Sequence, residues 1–234
     1  IQGVALYQLT DMGGFDSLNY ALTTMPSGGF GTSDLGIMAF DDPLVESIIL
    51  IFMLLTCINF TLLYFGLSGR WSEVIKDQEL RTYLLILLVA WLAMAFNLNR
   101  ATDYSVAESI RHSLFQSVSI SSTGYSSTNF ADWPVFSQFV LLLLMIIGAS
   151  AGSTGGGLKV LRIRIAFELA KREVMRIIQP RKVVTIRFNQ NVVDEDRIWI
   201  ILGMVSSWMV LVTASMLTIS FLEPNLSLTD VLSV

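Results

Sequence analysis

"MPSGGFGTSDL", residues 25–35, and "ISSTGYSSTNF", residues 120–130, carry the same pattern 95 residues apart. Each stretch places small hydroxyl residues and glycine before an aromatic residue, and further hydroxyl residues after it. Each follows a short amphipathic segment, residues 15–24 or 106–119, and precedes a long apolar run. The second short segment opens with Ser105 and Glu108 in the spacing of a capping box. The sequence therefore predicts a repeated unit of short helix, glycine-containing stretch and long helix.

The long apolar runs identify an integral membrane protein. Of the 234 residues 53% are hydrophobic and 15% charged, whereas about a quarter are charged in soluble domains. A helix needs roughly 17–25 residues to cross a bilayer. Four runs approach or exceed this length: residues 44–67, 83–98, 135–151 and 198–222. We therefore expect an all-α membrane protein. Because the sequence stops within an unfinished segment and opens without a signal peptide, we also expect it to be part of a longer protein.

The distribution of charge predicts which side faces the cytoplasm. If the chain crosses the membrane at each of the four runs, the segments between them alternate between the two sides. One side then holds 11 acidic and two basic residues, and the other eight acidic and 13 basic. Cytoplasmic loops carry the excess of Lys and Arg, so the second side is predicted to be inside. Both repeated stretches then lie on the acidic outer side, whose field attracts cations.

The repeated stretches fit re-entrant pore loops. A short helix that enters the membrane and returns as extended backbone is tolerated only where that backbone lines water or protein. Gly29 and Gly124 suit the unusual φ values needed to turn carbonyl groups inward, and rings of carbonyl oxygens replace the hydration shell of K⁺. Phe30 and Tyr125 are expected to pack outward and brace the loops. The alternative is an ordinary Gly/Ser-rich extracellular turn, which the presence of two copies disfavours.

With Gly29 aligned to Gly124, each directly before the aromatic residue, the two stretches resemble the Trk/Ktr/HKT superfamily of potassium transporters, most closely the TrkH-type membrane subunits. The resemblance implies potassium-channel-like units of helix, pore loop and helix, with one filter glycine from each unit. It implies that K⁺ is the substrate, bound by the backbone carbonyls of Gly29 and Gly124, and that no cofactor is needed. The filter residues are then Ser27, Gly28, Gly29 and Phe30, matched by Ser122, Thr123, Gly124 and Tyr125.

The second unusual stretch is "GASAGSTGGGLK", residues 148–159, with five glycines in its first ten positions. At about 1 kcal/mol per glycine this run is a poor helix interior, so it predicts a break in a membrane helix. It does not match the phosphate-binding pattern G-x-x-x-x-G-K-[ST]. Close helix packing is an alternative for Gly148 and Gly152. The superfamily resemblance implies a gate below the filter, formed by Gly148, Gly152, Ser153, Thr154, Gly155, Gly156, Gly157 and Lys159.

The basic segment after this run faces the predicted cytoplasmic side. Residues 159–187 hold nine basic and two acidic residues. Residues 160–178 have helical periodicity, and residues 179–193 alternate in the manner of a β-hairpin. Contact with lipid headgroups is one interpretation. The resemblance implies another, docking of a cytosolic TrkA-type nucleotide-binding regulatory subunit.

The resemblance also divides the chain. Residues 1–67 form a second pore unit without its first helix, residues 82–178 a third unit containing the loop at 148–157, residues 179–193 the cytoplasmic hairpin, and residues 198–234 the start of a fourth unit. It implies a homodimer in the bacterial inner membrane, crossing it several times, in contact with lipid and not with nucleic acid. A two-pore-domain-like channel and a non-transporting membrane scaffold with glycine-mediated packing are the alternatives. Cys57 is interpreted as a small buried core residue, and His112 as a capping or surface residue and not a metal ligand. No catalytic set is found, so no enzyme is expected.

Overall fold

The helices that carry both repeats lie in the first of two structural units, Ile1–Val160 and Leu161–Val234. The computed structural model describes residues 1–33, 35–179, 185–189 and 191–223. The helices of the first unit are α1 (Gln2–Leu9), α2 (Gly14–Thr24), α3 (Pro43–Cys57), α4 (Phe60–Leu67), α5 (Trp71–Lys76), α6 (Gln78–Ala101), α7 (Val106–Ile120) and α8 (Val135–Ile147). Short 3-10 helices, Gly36–Ala39 and Phe130–Asp132, follow the two glycine–aromatic pairs. The predicted amphipathic segments are thus α2 and α7.

The repeat begins earlier in the chain than the sequence pattern indicated. α1 ends at Thr10, whose hydroxyl donates to the Leu6 carbonyl at 2.6 Å. α6 ends in the same way at Thr102, whose hydroxyl donates to the Leu98 carbonyl at 2.6 Å. Both threonines have φ near −130° and ψ near 170°. A short helix therefore precedes α2, as α6 precedes α7.

Polar side chains define where the helices of the first unit begin. Asp42 caps α3 and Asp77 caps α6, each accepting a backbone N–H bond at 2.8 Å. The predicted capping box of α7 is confirmed: Ser105 accepts from the Glu108 amide, and Glu108 accepts from the Ser105 amide. The Ser105 side chain and backbone amide, both hydrogen-bonded to the Glu108 carboxylate, hold the pKa of Glu108 below its usual value, because such bonds favour the charged carboxylate.

Two helices of the described residues are long and apolar enough to cross a membrane, α6 and, in the second unit, α10 (Glu195–Leu222). These correspond to the predicted runs 83–98 and 198–222. The predicted run 135–151 is helical over only 13 residues, because α8 ends where the glycine run begins. A third span is possible if α3 and α4 are counted as one.

The predicted single helix over residues 44–67 is interrupted. α3 and α4 are bent by 107° at a break, where Ile58 takes an extended conformation with φ −84° and ψ 145°. Asn59 then restarts the chain as a helix, because its side-chain oxygen accepts from the Thr61 amide at 2.8 Å. An N-cap residue inside an apolar run is the local cause of the bend.

The core of the first unit lies where α7 packs against α6, α3 and α8. Its largest fully buried side chains include Tyr20, Tyr83, Phe115 and Tyr125. Tyr83 on α6 shares a hydrogen bond of 3.1 Å with Ser121 at the end of α7. The short helix before the second repeated stretch is thus packed among α3, α6 and α8, which suits a helix whose following backbone must lie against protein.

The second unit consists of α9 (Val160–Ile178), a two-stranded hairpin and α10. Strands β1 (Arg187–Phe188) and β2 (Asn191–Val192) pair antiparallel, with Phe188 opposite Asn191. The predicted helix over residues 160–178 is present, and β1 and β2 lie within the predicted hairpin; residues 180–184 and 190 lie outside the described part. Ile165, Ile186 and Ile198 form the core, and Arg172 pairs with Glu195 at 2.6 Å. The predicted fourth pore helix, residues 226–234, also lies outside the described residues.

Candidate functional site: two filter stretches above a glycine loop

Each repeated stretch leaves the end of its short helix through the same kind of turn. The Gly28 amide donates to the Thr23 carbonyl at 2.8 Å, and the Gly124 amide donates to the Ser119 carbonyl at 2.8 Å. Gly29 and Gly124 then adopt φ values of +73° and +85°, which side chains with a Cβ rarely adopt. Both glycines that the sequence aligned are therefore in the left-handed conformation expected of them.

The two stretches approach each other at their central residues. A Cβ added to Gly29 would overlap the Thr123 carbonyl oxygen, and it would lie 3.2 Å from the Thr123 carbonyl carbon. Thr123 itself is buried, and its hydroxyl shares a hydrogen bond of 3.0 Å with Ser122. The backbones of two segments distant in sequence thus meet face to face, and only a glycine allows this separation.

The two aromatic residues differ in their packing. Tyr125 is buried against the preceding unit, with its hydroxyl 2.6 Å from the Thr23 hydroxyl and its ring 5.6 Å from that of Tyr20. Ser119 fixes the same residue from the other side by donating to the Tyr125 carbonyl at 2.5 Å. Phe30 is 75% exposed in this chain. The expected bracing is therefore seen at Tyr125 and not at Phe30.

Replacing Tyr125 with phenylalanine is expected to destabilise the protein by about 1 kcal/mol, the usual net value of one hydrogen bond. The ring keeps its packing, but the bond that joins the second stretch to α2 is lost. Thermal unfolding in detergent measures the effect. Tyr64→Phe is the control, because Tyr64 is 65% exposed on α4; an equal shift in both variants would contradict the bracing role.

The glycine run forms a loop that interrupts the helix, as the sequence predicted. α8 ends at Ile147 and α9 begins at Val160. The two ends of the loop are held together by backbone bonds, from Leu158 to Ile146 and from Lys159 to Ile147, both of 3.0 Å. Gly148 and Gly157 lie so close that a Cβ on Gly157 would be 2.6 Å from the Gly148 Cα.

The far end of the loop lies against both repeated stretches. The Thr154 hydroxyl is 3.0 Å from the Ser27 hydroxyl of the first stretch. A Cβ on Gly155 would be 3.5 Å from the Ser121 carbonyl oxygen, at the start of the second stretch. Lys159 donates from Nζ to the Gly155 carbonyl. The loop therefore contacts the residues that precede both predicted filter glycines.

The remaining predicted loop residues have different surroundings. Ser153 donates to the Ser150 carbonyl at 2.5 Å and tightens the turn. A Cβ on Gly152 would lie 2.9 Å from the Asn59 side-chain nitrogen, whereas a Cβ on Gly156 would meet nothing within 4 Å. Close packing thus accounts for Gly152 but not for Gly156.

The break between α3 and α4 holds the loop from the side, which sequence reasoning missed. The Ser150 amide donates to the Cys57 carbonyl and the Thr154 amide to the Thr56 carbonyl, each at 3.2 Å. Asn59 donates from Nδ2 to the Ala151 carbonyl at 2.8 Å. The signal that could have found this contact is Asn59 itself, an amide within an apolar run.

Two residues that the sequence analysis assigned to structural roles are placed as follows. Cys57 is fully buried, as expected of a small core residue. His112 is also buried, 7% exposed, with its ring 5.4 Å from that of Tyr104; it was predicted to be a capping or surface residue, and burial within α7 corrects this. Within the described ranges, no three His, Cys, Asp or Glu residues are grouped to hold a metal ion.

The fold defines an all-α integral membrane protein built of helix–pore loop–helix repeats, with one membrane helix broken by a glycine loop. Residues 6–234 match the family TrkH, described as "Cation transport protein". The chain belongs to this family, which agrees with the expectation that it is not an enzyme.

Individual relatives show how much of such a protein the chain represents. It is 35% identical over 201 residues to the "Trk system potassium uptake protein TrkH" of Vibrio parahaemolyticus, covering 82% of this chain and 41% of the relative. It is 34% identical over 218 residues to the protein of that name from Escherichia coli K12, covering 89% of this chain and 44% of the relative. The crystal structure of the potassium transporter TrkH from V. parahaemolyticus superposes with a TM-score of 0.86 at 32% identity. It covers 93% of this chain and 47% of the solved one. The chain thus spans less than half the length of these relatives.

Proposed function

We propose that this chain forms the central part of a potassium uptake protein, in which K⁺ passes between glycine-based filters and a glycine loop gates the path. The observation that carries the proposal is the meeting of three elements. The filter backbones approach each other at Gly29 and Thr123, and Thr154 of the loop contacts Ser27 below them.

The chemistry of this arrangement suits a weakly hydrated monovalent cation. Backbone carbonyls are neutral dipoles that replace the hydration shell of K⁺ without binding it too tightly to leave. Left-handed backbone at Gly29 and Gly124 changes the direction of successive carbonyl groups. The partial negative charge at the C-terminal ends of α2 and α7, which directly precede the filters, favours a cation there.

The loop suits a gate for steric and electrostatic reasons. Its residues between Ala149 and Leu158 have small side chains, so the backbone itself is the obstruction and can change shape at little steric cost. Lys159 donates to the Gly155 carbonyl, and its ammonium group repels K⁺ near the loop. We propose that this contact favours the closed path.

The remaining parts of the proposal concern the setting of the protein. We propose that it crosses the inner membrane of a bacterium, contacts lipid and forms a homodimer. The relatives are named as members of a Trk system, and the basic face of α9 is a candidate docking site for a cytosolic TrkA-type nucleotide-binding subunit. The two filters described here need two more for a closed ring, which a protein of the length of the relatives supplies.

Uptake of ⁸⁶Rb⁺ by liposomes containing the full-length protein tests the function. We expect uptake that K⁺ competes for and Na⁺ does not. A folded protein that carries no Rb⁺ would exclude transport and favour a scaffold in which the glycines only pack helices.

Replacing Gly124 with serine is expected to weaken discrimination against Na⁺ while the fold is retained. A Cβ at this position meets nothing within 4 Å, but the φ of +85° costs a residue with a Cβ about 1–2 kcal/mol. The carbonyl direction changes to relieve this strain. The Rb⁺/Na⁺ uptake ratio measures the effect, and an unchanged ratio would show that Gly124 is not part of the filter.

A further inference from the structure

A buried carboxylate contacts the glycine loop from the first turn of α6. Glu79 is only 4% exposed, and its Oε1 accepts a hydrogen bond of 2.6 Å from the Ala151 amide. A helix N-terminus favours a negative charge at this position, and hydrogen bonds to an ionised acceptor are shorter than neutral ones. At 2.6 Å the bond to Glu79 is shorter than the backbone bonds within the loop, which measure 3.0 to 3.4 Å. Glu79 therefore holds one peptide group of the loop.

The carbonyl group of Ala151 is held by Asn59, at the start of α4. Asn59 Nδ2 donates to the Ala151 carbonyl at 2.8 Å, and the Phe60 amide donates to the neighbouring Gly152 carbonyl at 3.0 Å. Asn59 is in turn fixed because its Oδ1 caps α4 through the Thr61 amide. Both hydrogen-bonding groups of Ala151 are thus bound by side chains from two different helices.

From these contacts we propose that Glu79 and Asn59 are positioning residues that clamp the loop at Ala151 in its closed conformation beneath the filters. A glycine-rich segment has high conformational entropy, so a few strong anchors decide which of its conformations is populated. Side chains on rigid helices supply these anchors. The gating part of this inference depends on the proposed function, but the clamp itself does not.

The thiol of Cys57 reports the position of the loop independently of transport. Cys57 is fully buried, it is the single cysteine of this sequence, and its carbonyl accepts from the Ser150 amide of the loop. Because the loop is bonded to the Cys57 backbone, we expect its movement to increase the access of reagent to this thiol. The experiment uses the full-length protein with any other cysteine replaced, and measures both the rate of Cys57 modification by a charged thiol reagent and Rb⁺ uptake without a cytosolic partner.

Three variants grade the strength of the clamp. Glu79→Ala removes the acceptor, Glu79→Gln keeps an acceptor oxygen without its charge, and Asn59→Asp keeps the α4 cap while removing the donor to Ala151. The control is Glu73→Gln, because the Glu73 side chain is 56% exposed and pairs with Arg70. We expect Cys57 modification to accelerate about tenfold in Glu79→Ala and about threefold to tenfold in Asn59→Asp, the range for the loss of one hydrogen bond. We expect a smaller acceleration in Glu79→Gln than in Glu79→Ala, and none in the control.

The outcomes separate the clamp from the transport function. Cys57 modification within twofold of wild type in both Glu79→Ala and Asn59→Asp would overturn the clamp. An equal acceleration in Tyr125→Phe, which is destabilised elsewhere, would also overturn it, since general loosening would then explain the effect. Accelerated modification with no Rb⁺ uptake in any protein, wild type included, would support the clamp and exclude the transport function.

Discussion

Replacing Gly29 with alanine is expected to abolish selective Rb⁺ uptake by the full-length protein. The new Cβ would overlap the Thr123 carbonyl oxygen, which is backbone and has no rotamer to adopt. The φ of +73° adds strain of about 1–2 kcal/mol for a residue with a Cβ. One of the two filters must therefore move, and carbonyl oxygens displaced by a fraction of an ångström no longer surround an ion correctly. Competition of K⁺ and Na⁺ against ⁸⁶Rb⁺ in liposomes measures the loss.

The adjacent glycine provides a matched control. A Cβ on Gly28 would lie 3.5 Å from the Thr23 carbonyl oxygen and 3.5 Å from the Phe30 ring, ordinary contact distances. Gly28→Ala makes the same chemical change one residue away without this overlap, and we expect it to lose less selective uptake than Gly29→Ala. If both variants transport equally well, the close approach of the two stretches is not part of the transport path.

The sequence could predict those features of the site that come from a repeated motif or from residues that cannot continue a helix. Two copies of a glycine–aromatic pair after a short amphipathic segment predicted both re-entrant helices, and the capping box at Ser105 predicted where one of them begins. Five glycines in ten residues cannot continue a helix cheaply, so the break after α8 was also predictable. These signals act within a few residues, where sequence directly decides conformation.

The contacts that hold the loop were not predictable, because they join residues far apart in the chain. Asn59 and Ala151 are 92 positions apart, and Glu79 and Ala151 are 72. The apolar run over residues 44–67 looked like one helix because hydropathy does not register a single capping amide. The exposure of the Phe30 ring was not predictable either, because it also depends on a contact with a distant part of the chain. Tyr125 packs on the short helix of the preceding unit, and for Phe30 no such helix lies among the described residues.

Deleting residues 152–156 from the full-length protein is expected to raise Rb⁺ uptake measured without any cytosolic partner. The deletion removes Thr154 and Gly155, the two residues that contact the filter stretches, and it removes the carbonyl to which Lys159 donates. The helices on either side keep their own hydrogen bonds, so the path below the filters opens without loss of the fold. Effectors commonly shift an equilibrium by about 5- to 150-fold, and an increase within that range is expected here.

The control for the deletion is Gly156→Ala, which leaves the length of the loop unchanged. A Cβ there meets nothing within 4 Å, and Gly156 is not among the glycines with positive φ, so neither steric overlap nor backbone strain arises. We expect this variant to change uptake far less than the deletion does, with its dependence on a partner intact. The deletion and the substitution alter the same segment. The difference in Rb⁺ uptake between them therefore reports the obstruction by the loop backbone, and not a general effect of mutating a glycine-rich region. If the deletion leaves uptake low and still partner-dependent, residues 148–157 are only a packing feature, and the obstruction to K⁺ lies elsewhere in the path.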